Sequence, residues 1–216
     1  MLARALDRHP DVAALHHWLG VGARAAGDLA AARGHLEDAA RLDQSQPETY
    51  LALGEICLEI GENDEAIQAL ENAVHLDGDD VDARLRLAEA CARADLGERA
   101  QEQLDQARAL APTDARPLLA AGRLALGGHQ PERAIAALEA ARERDAQDPE
   151  IFHALGLAYK MLREYEQATQ MFRWELRLTP MSPKAYAQYA AVSAMHFVNR
   201  VVAIEDAPDG GAEPVR

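Results

Sequence analysis

Aromatic residues are scarce in this sequence, at 5% of the chain, and the only cysteines are Cys57 and Cys91. No run of 18 apolar residues occurs, so the sequence predicts no membrane-spanning helix. No histidine has another histidine four residues away, and there is no glycine-rich phosphate loop or placeable Ser-His-Asp group. These absences argue against a helical zinc site and against catalysis, so we predict no enzyme activity, no metal and no cofactor.

Acidic residues outnumber basic residues by 36 to 22, which gives a formal net charge of −14. Such a chain is poorly suited to nucleic acid or anionic membranes, since both require Lys and Arg to neutralise phosphate. Hydrophobic residues make up 49% of the chain, enough to form a core, and alanine, the best helix former, is abundant. The apolar part of "MLARALDRHP" is too short for a secretory signal, so we expect a cytoplasmic protein, or a periplasmic one within a longer exported chain.

A pattern of small and large residues recurs every 34 residues without an insertion. Small residues that follow a larger one stand at Gly20, Gly54, Ala88, Gly122, Gly156 and Ala190. A large apolar residue recurs at Leu2, Leu36, Leu70, Leu104, Leu138 and Phe172, with alanine three residues later at Ala5, Ala39, Ala73, Ala107 and Ala141. Several independent columns that share one period indicate a repeat architecture rather than chance.

These columns resemble the tetratricopeptide repeat (TPR) pattern of Leu-Gly, Tyr, Ala, Phe, Ala and Pro, which is most complete between Leu155 and Pro180. The resemblance implies an all-α fold, a right-handed α-solenoid of stacked antiparallel helix pairs. It divides the chain into five repeats, at 13–46, 47–80, 81–114, 115–148 and 149–182. Residues 1–12 match only the second helix of a pair, residues 183–202 match only a first helix that caps the array, and residues 203–216 have the composition of a disordered acidic tail.

The spacing has an explanation in helix packing. Gly54 and Ala66 are small because paired helices are expected to approach closely there, and a helix of this length is marginal in water unless it is stacked on others. Cys57 and Cys91 fall in one buried column of adjacent repeats, so we expect them to be small core residues with free thiols.

The resemblance also implies that the first helix of each pair lines a concave groove that binds a partner protein. We call the first-helix positions that would face this groove the lining positions. The candidate binding residues among them are His17, Trp18, Arg86, Arg93, Arg116, Arg123, His153, Lys160 and Lys184.

Cations accumulate at the lining positions from the fourth repeat onward. Arg116, Arg123, Lys160 and Lys184 stand against Glu150, a formal sum of +3. Such a groove could capture an acidic segment or the C-terminus of a partner, because arginine pairs well with carboxylates. The alternative is that these charges are solvated and pair with neighbours such as Glu150.

Trp18, beside His17, also allows two interpretations. It could anchor an apolar residue of a partner, as tryptophan often does at interfaces, or it could cover the N-terminal end of the array against residues 1–12. The two-carboxylate clamp known in the family, which holds chaperone C-termini, is matched here only at Arg86. We therefore do not predict a clamp of that type.

Two departures from the pattern stand near the C-terminal end. Glu175 occupies a column of alanines, and because a buried carboxylate without partners is costly, we expect it to form a hydrogen bond, with Tyr186 or Tyr189 as candidate partners, or to shift its helix. The last helix continues where a turn should come and carries an apolar face of Phe197, Val198, Val201 and Val202. This face predicts that the helix packs on its own chain, forms a homodimer or continues into a further region.

The sequence thus predicts a non-enzymatic protein–protein interaction scaffold that binds a partner peptide or helix in its groove. Two alternatives remain at this point. The protein could be the recognition or regulatory module of a larger transferase or hydroxylase, or it could be an assembly factor for envelope or secretion machinery.

Overall fold

The computed structural model describes residues 11–205, with side chains described as far as residue 199. Within this part the chain forms eleven α-helices and no strand, which confirms the predicted all-α fold. The helices are α1 Ala13–Ala25, α2 Leu29–Leu42, α3 Pro47–Ile60, α4 Asn63–Leu76, α5 Val81–Arg93, α6 Gly97–Leu110, α7 Arg116–Gly127, α8 Pro131–Arg144, α9 Pro149–Met161, α10 Tyr165–Leu178 and α11 Pro183–Glu205. Each of the five repeat ranges contains two helices, and α11 continues past residue 202, where the sequence pattern predicted its end.

The helices belong to two compact units, Met1–Leu124 and Ala125–Arg216. In the first unit α1 packs on α2, α3 on α4 and α5 on α6, and α2 and α4 also contact the first helix that follows each of them. In the second unit α8 packs on α9, α9 on α10 and α10 on α11. The core therefore lies within and between successive helix pairs, as stacking of repeats requires.

Residue chemistry explains where many of the helices begin. Pro47, Pro131 and Pro149 occupy the first turn of α3, α8 and α9, where the missing N–H of proline costs no hydrogen bond. Asp28 and Asp80 precede α2 and α5, and their carboxylates accept hydrogen bonds from backbone N–H groups of the first turn. Local sequence thus determines where these helices begin, and the residues of the repeat columns determine how the helices pack.

The first helix of each of the five pairs ends in the same turn, with one residue in the left-handed region. This residue recurs every 34 positions, at Gly27, Gly61, Asp95, His129 and Arg163, with φ of 81°, 85°, 59°, 55° and 61°. The next residue donates its backbone N–H to a carbonyl five residues earlier, as Glu62 does to Cys57 and Glu164 does to Tyr159, both at 2.9 Å. This is the Schellman ending of a helix, and it joins the two helices of a pair by a turn of constant shape.

Small residues hold the two helices of a pair close together. A Cβ atom added to Gly20 would lie 2.6 Å from Cγ of Leu36, and one added to Gly156 would lie 2.7 Å from Cε1 of Phe172. Leu36 and Phe172 are both 0% exposed. The predicted close approach at this column is therefore found in both units, and it explains why the column admits only glycine or alanine.

Cys57 and Cys91 are both buried, as predicted, and both carry free thiols. They belong to one apolar cluster with Leu70, Leu87 and Leu104. Burial raises the pKa of both thiols above the usual value, because a thiolate would lose its hydration there. They are core residues of the first unit.

Candidate partner-binding face

Charged residues on the first helices of the first unit form a continuous ladder of ion pairs. Glu55 of α3 accepts hydrogen bonds from Arg24 of α1 and from Arg86 of α5, the latter at 3.0 Å between Nε and Oε1. Glu89 of α5 then accepts from Arg86 at 3.0 Å and from Arg93 at 2.6 Å. We call Arg24, Glu55, Arg86, Glu89 and Arg93 the ion-pair ladder, and it links the first helices of three successive pairs.

Two flanking contacts complete the ladder. Arg24 Nε donates to Oε1 of Glu59 at 2.7 Å, and Arg93 Nη1 donates to the carbonyl oxygen of Leu58 at 2.8 Å. The predicted binding residues Arg86 and Arg93 therefore have carboxylate and carbonyl partners within the fold. An anionic ligand at these positions would have to compete with Glu55 and Glu89.

Arg116, at the start of α7, is held in the same way. Its Nη2 lies 2.7 Å from Oδ2 of Asp114 and its Nη1 lies 2.5 Å from Oδ1 of Asp82. The hydrogen bonds to Asp114 and Asp82, opposed by partial burial, raise the pKa of this guanidinium. Arg123, on the same helix, is exposed.

His17 and Trp18 lie together on α1. His17 Nδ1 is 3.1 Å from Oγ1 of Thr49, so this ring connects α1 to α3. Trp18 is 58% exposed, with the His17 ring edge-on at 5.4 Å between centroids. The alternative that Trp18 packs against residues 1–12 concerns residues that lie, apart from Asp11 and Val12, outside the described part.

In the second unit, His153 faces its own helix pair. Its Nδ1 lies 3.0 Å from Oε2 and 3.1 Å from Oε1 of Glu175, and its ring is edge-on to Phe172 at 5.7 Å. Glu175 is buried at 6% exposure and hydrogen-bonded, as predicted, but the sequence analysis named the wrong partners. Tyr186 is 54% exposed, and the Tyr189 hydroxyl lies 3.5 Å from Arg173. The reason is geometric, because His153 sits on the helix paired with that of Glu175.

A cavity of about 470 Å³ opens beside Lys160 in the second unit. Its lining consists of Leu126 and Gly127 at the end of α7, and Leu157, Lys160 and Met161 of α9. Lys160 Nζ lies 3.4 Å from the amide oxygen Oε1 of Gln188 on α11. The site therefore combines an apolar lining with an ammonium group whose contact is a neutral amide rather than a carboxylate.

Lys184 and the apolar residues of α11 lie further along the sequence. Lys184 is exposed, and it makes no hydrogen bond or ion pair within the part of the chain that is described. Phe197 and Val198 are exposed at 69% and 58%. The side chains of Val201 and Val202 lie outside the described residues.

Residues 11–199 offer no group of three or more His, Cys, Asp or Glu side chains suited to a metal ion. Among the described helices, none is long and apolar enough to cross a membrane.

The ladder has a signal in the sequence that the 34-residue columns do not include. Arg24 and Glu55 are 31 residues apart, and so are Glu55 and Arg86. An interval of 31 residues is three residues shorter than the repeat. Opposite charges at this interval therefore lie on neighbouring first helices and are offset by nearly one helical turn. Opposite charges at this interval are therefore candidates for pairing between neighbouring first helices.

Comparisons with known proteins agree with this architecture. Two family models, both described as tetratricopeptide repeat, match residues 23–71 and 61–124, and residues 119–183. No curated protein sequence matches the chain. Solved structures of other proteins match the chain in fold.

Three of the similar structures illustrate the extent of the likeness. The TPR protein TTC0263 of Thermus thermophilus is 22% identical, with 85% of this chain and 100% of that one covered and a TM-score of 0.72. The pilF protein of Pseudomonas aeruginosa is 19% identical over 89% and 87% of the two chains, with a TM-score of 0.70. YrrB, described as a TPR protein with an unusual peptide-binding site, is 18% identical over 86% and 96%, with a TM-score of 0.62. Likeness at these identities shows the fold.

Proposed function

Because this chain belongs to the tetratricopeptide repeat family, we propose that it is a non-enzymatic scaffold that binds a partner protein through the lining positions of its first helices. The family fold is that of protein-interaction scaffolds, which are generally non-catalytic. The partner's segment binds along the second unit, with the cavity beside Lys160 as its anchor point.

The observation that carries this proposal is the chemical contrast between the two units. In the first unit, Arg24, Arg86 and Arg116 are engaged by carboxylates of the same chain. In the second unit, Lys160 contacts the amide oxygen of Gln188. An ammonium group gains more from a carboxylate than from an amide, so a partner's carboxylate competes favourably at Lys160 and unfavourably at the arginines.

The apolar lining of the cavity defines the other half of the ligand. Leu126 and Leu157 are half-buried and Met161 is 40% exposed, so each presents apolar surface that a ligand would remove from water. Removing such surface contributes about 25 cal/mol per Å². The favoured ligand is a segment with an aliphatic or aromatic residue next to Asp, Glu or a free C-terminus. YrrB, a protein of the same fold described as having a peptide-binding site, is consistent with this use of the scaffold.

A selection from random peptides displayed with free and with blocked C-termini tests the proposal without a known partner. We expect the scaffold to enrich peptides that pair an apolar residue with a carboxylate. Lys160→Glu should weaken their binding at least tenfold. Arg144→Glu is the matched control, since it makes a similar charge change at an exposed position of the second helix α8 and should leave binding unchanged. Equal binding by Lys160→Glu and the native chain would reject the site.

A further inference from the structure

Within residues 11–199, the face of α11 around Ala190 is exposed, whereas the corresponding face of the preceding first helices is buried. In the five complete pairs the small-residue column is buried at Gly20, Gly54, Ala88, Gly122 and Gly156, whereas Ala190 of α11 is exposed. Leu36 and Phe172 of the paired helices lie directly against Gly20 and Gly156. In the repeat pattern α11 is a first helix, and its face around Ala190 corresponds to the one on which the paired second helix packs at Gly20, Gly54 and Gly156.

A second column gives the same result independently. Phe152 of α9 stacks on Trp174 of its paired helix at 6.1 Å and is 5% exposed, and His16 of α1 lies 5.6 Å from the ring of His35 and is 8% exposed. The position 34 residues after Phe152 is Tyr186, which is 54% exposed. Two columns that face the paired helix in complete repeats are therefore both uncovered in α11.

A different side of α11 packs against α10. Ala185 and Val192 are 0% exposed, and Val192 belongs to the apolar cluster of Ala168 and Phe172 of α10. The uncovered face is thus separate from the contact that attaches α11 to the second unit. Tyr186, Ala190 and Phe197 are exposed on this face, whereas Ser193 at its edge is half-buried and its hydroxyl oxygen is enclosed. The four residues follow one another at intervals of four, three and four residues, which places them on one stripe of the helix. We call these four residues the α11 stripe.

We propose that the α11 stripe is the contact surface of a homodimer, in which α11 of a second copy packs antiparallel across a two-fold axis. The order of residues along the stripe is large, small, small, large, so it reads alike in both directions. An antiparallel copy places Tyr186 opposite Phe197 at each end and Ala190 opposite Ser193 at the centre. Small residues at the crossing allow close approach, as Gly20 and Gly156 do within the pairs.

Charge favours a second copy at this surface over a charged partner. The chain has a formal net charge of −14, so two copies repel each other unless they meet at an uncharged surface. Between Lys184 and Arg200 the sequence of α11 contains no Asp, Glu, Lys or Arg, although such residues make up 27% of the chain. The α11 stripe lies wholly inside this interval.

The area available sets the strength of the contact. Tyr186 and Phe197 are 54% and 69% exposed, and aromatic side chains bury about 150–250 Å² each, so the four rings of a dimer contribute on the order of 500 Å². This contribution is well below the roughly 1,200 Å² lower end of stable interfaces, so the contact is a weak one. The dimer is therefore one that dissociates on dilution.

Sedimentation velocity over a wide range of concentrations tests the proposal. The native chain should sediment as a monomer when dilute and approach the dimer when concentrated, whereas Ala190→Glu should remain monomeric. Ala190 is exposed, so Ala190→Glu should keep the native helical circular dichroism and melting temperature. Ala191→Glu, at an exposed neighbour outside the stripe, is the matched control and should dimerise like the native chain.

A mixing experiment separates the two-fold contact from a head-to-tail contact. In a two-fold dimer, labelled Ala190→Glu is not recruited by excess native chain, because the stripe of each copy forms half of one interface. Recruitment of labelled Ala190→Glu would overturn the proposal in favour of a contact between different surfaces. A native chain that stays monomeric at every concentration, or an Ala191→Glu variant as impaired as Ala190→Glu, would also overturn it.

Discussion

His153 Nδ1 lies 3.0 Å from Oε2 of Glu175, with side-chain exposures of 14% and 8%, so this pair is enclosed between the two helices of one repeat. The corresponding position in the other second helices is alanine, as at Ala39, Ala107 and Ala141, each at most 1% exposed. Glu175 thus places a carboxyl group where the other second helices have a methyl group, and its hydrogen bond with His153 makes this burial tolerable.

The two members of this pair should respond unequally to replacement. His153→Ala leaves Glu175 buried without this partner and should lower the free energy of unfolding by about 3 kcal/mol, the usual cost of breaking a buried pair. Glu175→Ala restores the residue of the column and removes the buried carboxyl group, so its cost should be under about 1 kcal/mol. Urea denaturation of both variants and of the double variant measures this, and a double variant as unstable as His153→Ala would contradict the explanation.

Glycine to alanine substitutions should have opposite signs at two helical positions. At Gly156 a new Cβ atom would lie 2.7 Å from Phe172, so Gly156→Ala should destabilise the second unit by about 1–3 kcal/mol through overpacking. Gly34 lies inside α2, is exposed and has no atom within 4 Å of a new Cβ, so Gly34→Ala should stabilise by about 0.5–1 kcal/mol. Thermal unfolding monitored by circular dichroism should show melting temperatures shifted in opposite directions.

The turn that ends each first helix offers a stabilising change. His129 and Arg163 have positive φ where Gly27 and Gly61 stand in the first two repeats. A side chain in the left-handed region costs roughly 1 kcal/mol, so His129→Gly and Arg163→Gly should each raise the free energy of unfolding by part of that amount. Gly61→Ala should lower it. Chemical denaturation measures the free energy of unfolding of each variant. A destabilised Arg163→Gly would show that the Arg163 side chain has another role.

The ion-pair ladder should make the first unit sensitive to salt. Glu55 accepts from both Arg24 and Arg86, so Glu55→Gln removes the one carboxylate shared by α1, α3 and α5 and should cost about 1 kcal/mol at low ionic strength. At about 1 M salt the difference should shrink, because screening weakens the native pairs. Gln68→Ala, at an exposed helical position of α4, serves as the control whose effect should not depend on salt.

The two thiols should report unfolding of the first unit. Burial raises the pKa of Cys57 and Cys91, so the folded chain should react with a thiol reagent only as fast as this unit opens. The sign for stability follows from the same shift. Because the folded pKa is the higher one, the unfolded state loses its thiol protons first, and stability falls as the pH rises above the unfolded thiol pKa of about 8.5. Labelling rates that match those of a free thiol at about pH 8 would contradict the burial of Cys57 and Cys91.

The repeat columns were sufficient to predict the fold because each one records a local contact. Gly156 is small because Phe172 lies against it, and the same relation joins Gly20 to Leu36 and Gly54 to Leu70. The helix-ending turn is equally periodic, but its later members Asp95, His129 and Arg163 are not glycines, so residue type alone does not reveal the left-handed backbone.

Side-chain pairing could not be predicted in the same way. Charged side chains are long, and the choice between solvent, a neighbour and a partner protein depends on atoms from several helices. The helix face alone makes Arg86 and Arg93 candidate binding residues, whereas the contact of Arg86 with Glu55 and that of Arg93 with the carbonyl oxygen of Leu58 depend on the adjacent helix α3. The groove residues and the dimer contact remain proposals for the experiments above.

The position of Glu55 has a consequence for how the array comes apart. Arrays of repeats held only by apolar contact between neighbours can fray from an end, one repeat at a time. Glu55 is bound by arginines from the pair before and the pair after its own, so separation of the first pair from the second must also break the Arg24–Glu55 ion pair. Hydrogen exchange in α1 should therefore be slower in the native chain than in Glu55→Gln, in which the first pair opens more readily.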